Sequence, residues 1–387
     1  MKLKVRSTIQ LIATITVIIS SIIYAMYINE LIDFRLLSIG DMNPYGGWSA
    51  LKSALTDLSY RWRGFNRSMG LTVAIVFTAF AFGRFFCGYI CPIGAIQDFF
   101  KYLGKKVGLK EREFSHKPEI IKYLVLIGLV SLSILGLGHI ISPFSPWLAY
   151  LNIFIGFNLQ AGTIILILIV LISLVGRRIF CRYFCPLGAF QSLLYALGPF
   201  KIKKSNCSCS YCLRDCPVSE ELRLSEKEKN LSPECVNCLK CIDSCVKSTE
   251  GFQLKMGNKL LKKNIYVALS ILILLSLYTF LPLIKSNSAI QAISTFEEIK
   301  DGVYRGSGMG FGGIMTVEVT IKDKKITDIK VLDHSETSGY YQEVFRTTIY
   351  EITESQNLNA DIVSGATSTG RGFLNSVRDA VSKSLDD

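Results

Sequence analysis

Five long apolar stretches set the plan of this chain. Each holds roughly 20 mostly apolar residues, the length that a helix needs to cross a hydrocarbon core of about 30 Å. The first and last carry no charge, whereas Arg84 interrupts the second near one end, where its side chain can reach the membrane interface. The pattern predicts five membrane spans, at Thr8–Ile28, Met69–Ile90, Ile120–Ile141, Leu159–Phe180 and Ile265–Ile284.

A cleaved signal peptide is the alternative for the first stretch. The stretch is longer than the roughly 7–15-residue apolar core of a signal peptide, and Ile23 and Ala25 form a poor cleavage site. We therefore expect an uncleaved anchor. Cleavage would leave the rest of the topology unchanged.

The pattern changes after the fifth stretch. Short alternating segments and amphipathic segments replace the long apolar runs, and glycines are frequent among them. We expect a small α+β domain. Its predicted elements are a first strand among the glycines of residues 302–313, strands at Thr316–Ile321 and Ile326–Leu332, a turn at Lys324 and Lys325, and helices at Gln342–Thr353 and Gly372–Leu385.

Composition agrees with a membrane protein, and charge gives it an orientation. The chain has 387 residues, is 50% hydrophobic and has a net charge of +12. Its basic residues cluster before the first span, between the second and third, after the fourth and before the fifth, which are segments on one side. Basic residues mark the cytoplasmic side of membrane proteins. We therefore expect the C-terminal domain to lie outside, and we expect no nucleic acid to be bound.

The predicted outer segments agree with this orientation. They are about Asn29–Ser68, Ser142–Asn158 and Lys285–Asp387, and they contain none of the twelve cysteines. Reducing conditions inside keep thiols available for metal. The outer segments contain all three tryptophans, as an aromatic belt would, and these are Trp48, Trp62 and Trp147.

An internal repeat duplicates part of the membrane region. Arg84–Gly104 and Arg178–Gly198 are identical at 11 of 21 positions, and both contain C-x3-C-P. Upstream, Pro44–Trp48 and Pro143–Trp147 share a looser pattern of proline, aromatic residue and tryptophan. The membrane region is thus two parallel pseudo-repeats, and repeats of this kind often build a site at their interface.

The repeated cysteines are a candidate metal centre. Cysteines four apart share one face of a helix. Two such pairs that face each other would present four thiolates, and we hypothesise a further iron–sulfur cluster there. The alternative is a set of buried structural thiols. The four residues are Cys87, Cys91, Cys181 and Cys185.

Eight further cysteines form two tight runs between the fourth and fifth spans. The second run has the C-x2-C-x2-C-x3-C spacing that holds a 4Fe-4S cluster, and the first departs from it by one residue at Cys207. In two-cluster ferredoxins the fourth cysteine of each run binds the other cluster. Two zinc sites are the alternative, although zinc motifs usually have a longer spacer. If the ferredoxin ligand pattern applies to this chain, one cluster is bound by Cys207, Cys209, Cys212 and Cys245, and the other by Cys216, Cys235, Cys238 and Cys241.

Three patterns in the C-terminal domain carry a family resemblance. They are Asp301-Gly302-x-Tyr304-x-Gly306, Glu336-Thr337 and Asp361-Ile362-Val363-Ser364-Gly365-Ala366-Thr367. With them the domain resembles the FMN-binding domain of the Rnf G subunit, of the C subunit of sodium-pumping quinone reductases and of NosR.

The resemblance implies a covalent flavin. A flavin transferase would link FMN to Thr367 through a phosphoester bond, and Glu336 and Thr337, with His334, would lie near its ring. The alternative is a polar cap on the following helix, and Ser368 and Thr369 are the nearest other acceptors. The remaining residues of the implied site are Asp361, in the transferase recognition pattern, and Ser364, Gly365 and Ala366, in a close-approach turn.

The membrane and cysteine-rich part, about Thr8–Lys247, resembles the polyferredoxin membrane proteins typified by NosR and NapH. Those proteins have paired C-x3-C-P motifs followed by ferredoxin runs, but NosR-like proteins usually carry the flavin domain N-terminally. We expect an α-helical membrane domain with about five spans in two pseudo-repeats, a bacterial-ferredoxin-like insert and a C-terminal α+β FMN-binding domain. The expected domains are residues 1–200, the cytoplasmic insert 201–255, the fifth span and linker 256–290, and the extracytoplasmic domain 291–387.

These features predict a membrane-bound iron–sulfur flavoprotein of the cell membrane, an electron-transfer component rather than a stand-alone catalyst. Electrons would pass between cytoplasmic 4Fe-4S clusters and the outer FMN. The expected partners are membrane lipid, the flavin transferase, a ferredoxin, flavodoxin or quinol donor, and an extracytoplasmic redox acceptor. The alternative is a redox-linked maturation or regulatory protein for an extracytoplasmic reductase. A terminal reductase is disfavoured because no acid–base pair adjoins Thr367 in the sequence.

The crossing step stays open at this point. The cysteines and the flavin are predicted on opposite sides of the membrane. Three routes are compatible with the sequence: docking of the flavin domain near the bilayer, a quinone between the two outer turns, and a partner subunit.

Overall fold

A computed structural model describes most of the chain, and its described residues form two compact units. The first unit falls within residues 1–19, 73–150 and 158–277, and the second within residues 20–72, 151–157 and 278–387. Helix α1, Val5–Ile28, contributes to both. The described residues are 5–29, 31–32, 34, 36–48, 67–110, 120–135, 142–154, 161–204, 216–218, 231–243, 252–257, 259–283, 299–336, 339–358 and 366–386.

Five apolar helices lie where the spans were predicted. Among the described residues, two are long and apolar enough to cross a membrane: α1, and α12 with the 3-10 turn that extends it to Leu283. The other three have 13 to 16 residues and reach only about 20–24 Å at 1.5 Å per residue. Length therefore supports two of the five predicted spans. The four helices besides α1 are α3 (Arg67–Phe82), α6 (Ile120–Ile134), α8 (Ala161–Ser173) and α12 (Lys263–Phe280).

Each C-x3-C-P motif lies across a helix break. Cys87 is in α4 (Phe85–Tyr89), and Cys91 precedes α5 (Pro92–Lys106) with non-helical backbone at φ −59° and ψ 115°. A residue before proline is kept out of the helical region, and proline is well suited to start a helix. The expectation that the paired cysteines share one helix face was therefore wrong. The second repeat has the same break between α9 (Ile179–Tyr183) and α10 (Pro186–Leu197).

A small antiparallel sheet encloses the ferredoxin-like segment in sequence. Strand β1 (Phe200–Lys204) pairs with β2 (Phe252–Met256), which pairs with β3 (Lys259–Leu261). The β1–β2 pairing, which runs from Phe200 opposite Met256 to Lys204 opposite Phe252, brings the two ends of the ferredoxin-like segment together. The expected boundary between residues 255 and 256 therefore falls inside β2. The short helices of the remaining described chain are α2 (Ile39–Met42), α7 (Pro146–Asn152) and α11 (Lys240–Asp243).

The C-terminal domain, in the second unit, has the predicted α+β elements. Its three antiparallel strands follow chain order, and the turn of the second hairpin lies at Asp323 and Lys324, both with positive φ, one residue earlier than predicted. The first predicted strand is confirmed as β4. The elements are β4 (Gly302–Met309), β5 (Ile314–Lys322), β6 (Lys325–Asp333), α13 (Tyr341–Ser355) and α14 (Thr367–Asp386).

The core of this domain lies between the sheet and α14. Alternate residues of β5, such as Val317 and Val319, are fully buried together with Phe373 of the helix. Gly308 in β4 explains the close packing: a Cβ there would stand 2.1 Å from the carbonyl oxygen of Gly372. The helix and the strand therefore approach at a distance that a side chain would prevent.

Candidate iron–sulfur and flavin sites

The structure brings the four repeated cysteines together. Burial raises the pKa of the Cys91 thiol, and the neighbouring thiols of Cys87, Cys181 and Cys185 raise it further. A bound metal would oppose this rise, because metals bind the thiolate. The two pairs thus share one region, as the repeat predicted, and their role as ligands stays a prediction.

Two glutamines cross between the repeats to these sulfurs. Gln97 Nε2 donates a hydrogen bond to Cys181 Sγ over 3.1 Å, and Cys87 Sγ donates to Gln191 Oε1 over 3.4 Å. The two glutamines hold the same position in their repeats, and both are fully buried. The contact is therefore reciprocal. Sequence reasoning gave these residues no role, although their repetition was an available signal.

Two buried arginines lie beside the cysteines, and each belongs to an ion-pair cluster. Arg84 and Arg178 are both 1% exposed. Arg178 pairs with Asp98 through two contacts of 2.7 and 2.9 Å, and Arg84 lies 3.2 Å from Glu234. A second buried cation joins each carboxylate: Arg6 at Asp98 and Lys122 at Glu234.

These charges fit an anionic thiolate centre. Four buried cations meet two carboxylates, which leaves two positive charges in excess. Four thiolates around a doubly positive iron–sulfur core carry two negative charges, and net charge is one of the factors that set cluster potentials. Among the described residues, no acceptor reaches the buried Nε of Arg84. An anion held by the cysteines would supply the missing charge.

A second group contains the described cysteines of the ferredoxin-like segment. Burial raises the pKa of Cys235, and the thiols of Cys238 and Cys216 raise it further. Cys216 and Cys241 pack against the buried cluster that contains Cys235. These four residues are the set expected for one cluster, including the cysteine exchanged from the first run. The other expected ligands lie outside the described residues, and they are Cys207, Cys209, Cys212 and Cys245.

The Cys235–Cys238 loop packs directly on the first repeat. Cys87, Val236 and Cys238 lie in one buried cluster. The Tyr89 hydroxyl donates to the carbonyl oxygen of Cys238 over 3.3 Å. A Cβ on Gly88 would stand 2.3 Å from the carbonyl oxygen of Val236, so only glycine leaves room for the loop. The two cysteine groups therefore adjoin.

Helix α7, in the second predicted outer segment, also lies against the repeated cysteines. Burial and the neighbouring Cys91 thiol raise the pKa of Tyr150 to about 12. The rings of Trp147 and Phe86 are 6.3 Å apart, and Trp147 is 5% exposed. Trp147 is thus not part of an exposed aromatic belt. The segment predicted to lie outside therefore adjoins the repeated cysteines, which were predicted at the inner side.

On the flavin side, Glu336 contacts the first turn of α14, the helix that begins at the expected attachment residue. Its carboxylate accepts hydrogen bonds from the backbone N–H of Gly312 (3.0 Å) and from the hydroxyl of Thr369 in α14. Ala366 is buried, and the backbone of Thr367 begins α14. Thr369, one of the alternative acceptors, is 3% exposed and is engaged by Glu336. Four residues of the expected site lie outside the described residues: Thr337, Asp361, Ser364 and Gly365.

His334 lies in an aromatic group beside this segment. Its ring is 4.3 Å from that of Tyr341 and 5.2 Å from that of Phe345. Its Nδ1 accepts a hydrogen bond from the backbone N–H of Glu336 over 3.2 Å. His334 therefore supports the backbone at Glu336.

The C-terminal domain docks on the C-terminal end of α1. The Tyr24 hydroxyl lies 2.9 Å from the carbonyl oxygen of Gly339 and 3.0 Å from a carboxylate oxygen of Glu343. Arg346 donates to the carbonyl oxygen of Tyr27 over 3.1 Å and stacks over its ring. Sequence reasoning missed this contact, because nothing in the local pattern of α1 marks Tyr24 as a docking residue.

Comparison with known families agrees with this division of the chain. A family model described as an FMN-binding domain matches residues 310–382, which include Glu336 and Thr367. A model described as a 4Fe-4S binding domain matches twice, at residues 64–110 and 159–205. These two segments contain the C-x3-C-P motifs, and the Cys207–Cys245 segment lies beyond both. The predictions of 4Fe-4S binding and of FMN binding are confirmed at this level.

Individual relatives fix the family. The uncharacterized protein MJ0750 of Methanocaldococcus jannaschii is 31% identical over 192 residues, which are 46% of this chain and 76% of the relative. The regulatory protein NosR of Pseudomonas aeruginosa is 27% identical over 222 residues, 51% of this chain and 30% of NosR. The chain belongs to the NosR/NapH-like polyferredoxins. In this polyferredoxin an FMN-binding domain is fused at the C-terminal side.

A third relative of this polyferredoxin has a name that states a redox role. The putative electron transport protein YccM of Escherichia coli is 29% identical over 202 residues, 49% of this chain. The match spans 56% of the length of YccM. With the two kinds of matched domain, it supports a redox role for the chain.

Proposed function

We propose that this chain conducts electrons across the cell membrane, between iron–sulfur clusters at its cytoplasmic face and an FMN linked to Thr367 outside. Iron–sulfur clusters exchange single electrons, and flavins exchange one or two. The observation that carries the proposal is the buried cluster that Cys87 shares with Val236 and Cys238, in which the two cysteine groups adjoin.

We assign three ligand sets from the spacing of the cysteines in the sequence, and the described cysteines of two of these sets lie together. Cys216, Cys235, Cys238 and Cys241 would hold one 4Fe-4S cluster, and the four repeated cysteines, Cys87, Cys91, Cys181 and Cys185, would hold a further one. The second ferredoxin-type cluster would take Cys207, Cys209, Cys212 and Cys245. The chain's own contribution is to bury Cys87, Cys91 and Cys181, to place the cations of Arg84 and Arg178 beside the repeated set and to aim the Gln97 amide at Cys181.

Docking of the C-terminal domain supports one of the three crossing routes. Tyr24 of α1 reaches Gly339 and Glu343, close in sequence to Glu336 and Thr337. The domain is thereby held at the end of a predicted membrane helix. This favours transfer at the bilayer surface, with ferredoxin, flavodoxin or a membrane quinol as the donor and an extracytoplasmic redox protein as the acceptor.

The test of the iron–sulfur part is a count of iron and sulfide per chain after anaerobic purification, with EPR. A quadruple alanine variant of Cys87, Cys91, Cys181 and Cys185 should lose about four irons and one EPR signal. Unchanged iron in that variant would refute the further cluster. A colourless protein loaded with zinc would refute the clusters altogether.

The test of the flavin part is fluorescence in a denaturing gel. A flavin transferase expressed with the chain should give a fluorescent band that Thr367→Ala abolishes and the matched control Ser368→Ala retains. Fluorescence that persists in Thr367→Ala would contradict the assignment.

Direction and sidedness need a vesicle experiment. In inverted vesicles, reduced ferredoxin added to the exposed cytoplasmic face should reduce the FMN in the lumen. An FMN that stays oxidised would exclude ferredoxin as the direct donor.

A regulatory role is the second candidate, and the name of the relative NosR favours it. In that case the redox state of the chain would govern the assembly or activity of an extracytoplasmic reductase. The chain would then turn over slowly with artificial donors, and its deletion would affect one client protein.

A further inference from the structure

The two repeats differ at one charged position beside the cysteines. Asp98 follows Gln97 in the first repeat, and Ser192 follows Gln191 at the equivalent place in the second. Asp98 is the carboxylate that neutralises the buried Arg178. Asp98 of the first repeat thus pairs with the arginine of the second. The second repeat has no acid at the equivalent position to pair with Arg84, the arginine of the first repeat.

Glu234, which lies outside both repeats, supplies the carboxylate that pairs with Arg84. It immediately precedes Cys235, and its carboxylate lies 3.2 Å from Arg84 Nη1 and 3.3 Å from the hydroxyl of Ser192. Its backbone carbonyl accepts a further bond from Arg84 over 2.9 Å. Ser192, which occupies the position of Asp98 in the second repeat, therefore donates a hydrogen bond to Glu234, the carboxylate that serves in place of an aspartate there.

Helix α6 holds this carboxylate through two more side chains. Lys122 of α6 forms an ion pair with it, and the Tyr123 hydroxyl donates to Oε1 over 2.5 Å. Lys122 and Arg84 are almost wholly buried. Burial of two cations is costly unless they are paired, so a correctly placed Glu234 is required at this site.

We propose that Glu234 is a positioning residue with two linked effects. It seats the Cys235–Cys241 loop between Arg84 of the first repeat and Ser192 of the second, and it supplies the counter-charge of Arg84 beside the C-x3-C-P thiols. The ferredoxin-like segment thereby completes the electrostatics of the other cysteine group. This inference rests on the proposed function, because it concerns the potential of the centre held by the repeated cysteines.

The test is Glu234→Gln in the full-length holoprotein, with an anaerobic redox titration followed by EPR. Loss of one negative charge near the repeated cysteines should favour reduction of their centre by about tenfold, a rise of about 59 mV for one electron. Asp243→Asn is the matched control, because Asp243 lies in the same segment but pairs with Lys263. The control should leave that potential unchanged.

A rescue separates positioning from general damage. Ser192→Asp restores an acid at the position of Asp98, so the double variant with Glu234→Gln should return to the wild-type potential. Glu234→Asp keeps the carboxylate and should retain full iron if Glu234→Gln loses some. A potential in Glu234→Gln equal to that of Asp243→Asn, or a shift that Ser192→Asp does not reverse, would overturn the proposal.

Hydrogen exchange gives a readout that does not depend on the further cluster. Amides of residues 231–239 should exchange at least tenfold faster in Glu234→Gln than in the wild type or in Asp243→Asn. If the quadruple cysteine variant keeps its iron while this exchange difference holds, the proposed centre fails and the seating role of Glu234 stands. If the exchange rates are equal, the seating role fails.

Discussion

Replacement of Gly88 by alanine tests the contact that joins the two cysteine groups. The added Cβ would stand 2.3 Å from the carbonyl oxygen of Val236, whereas ordinary contact begins at 3.4 Å. The loop must therefore retreat by about 1 Å. Overpacking of this kind costs about 1–3 kcal/mol, and loss of the bond from Tyr89 to Cys238 adds about 1 kcal/mol. We expect a free energy of unfolding lower by about 2–4 kcal/mol.

Thermal unfolding in detergent, with iron counted per chain, measures this effect. Gly128→Ala is the matched control, because it lies in α6 and no atom lies within 4 Å of its added Cβ. The control should be neutral or gain up to about 1 kcal/mol from the better helix propensity of alanine. Wild-type stability and iron in Gly88→Ala would refute the packing of the loop on the first repeat.

Three further predictions concern the C-terminal domain. Tyr24→Phe removes a donor to the buried Glu343 and should destabilise the docked domain by about 1–3 kcal/mol, measured as faster proteolytic release of the domain. Gly308→Ala meets the carbonyl oxygen of Gly372 at 2.1 Å and should abolish flavin incorporation, read as lost fluorescence. The Asp301 pKa is lowered by backbone N–H groups of the second hairpin turn. Its stabilising effect is thus present at neutral pH and lost as pH falls through the lowered pKa of the folded state, so Asp301→Asn should lower stability at pH 7, and this difference from the wild type should shrink on acidification in denaturant titrations.

Local elements could be predicted from the sequence because their signals are local. Thr316–Ile321 alternates in sequence and lies within β5, and Gln342–Thr353 lies within α13. The cysteine spacing likewise predicted that Cys216 and Cys235 share a cluster, and the two thiols are neighbours in the structure. The helix break at Cys91 was missed, although the proline that causes it is plain in the sequence.

Contacts between distant segments could not be predicted in the same way. The bond from Gln97 to Cys181 joins residues 84 positions apart, and that from Tyr24 to Glu343 joins residues 319 apart. No periodicity in either segment encodes its partner. The repeat was the exception, because two copies of one motif indicate a shared site by their repetition alone.

The differences between the two copies prove as informative as their identities. Gly88 in the first copy corresponds to Arg182 in the second, and Asp98 corresponds to Ser192. Both differences face the ferredoxin-like segment: the backbone of Val236 needs the space at Gly88, and Glu234 supplies the charge that Ser192 lacks. A single docked segment contacts the two copies differently, and it therefore removes their equivalence at these positions.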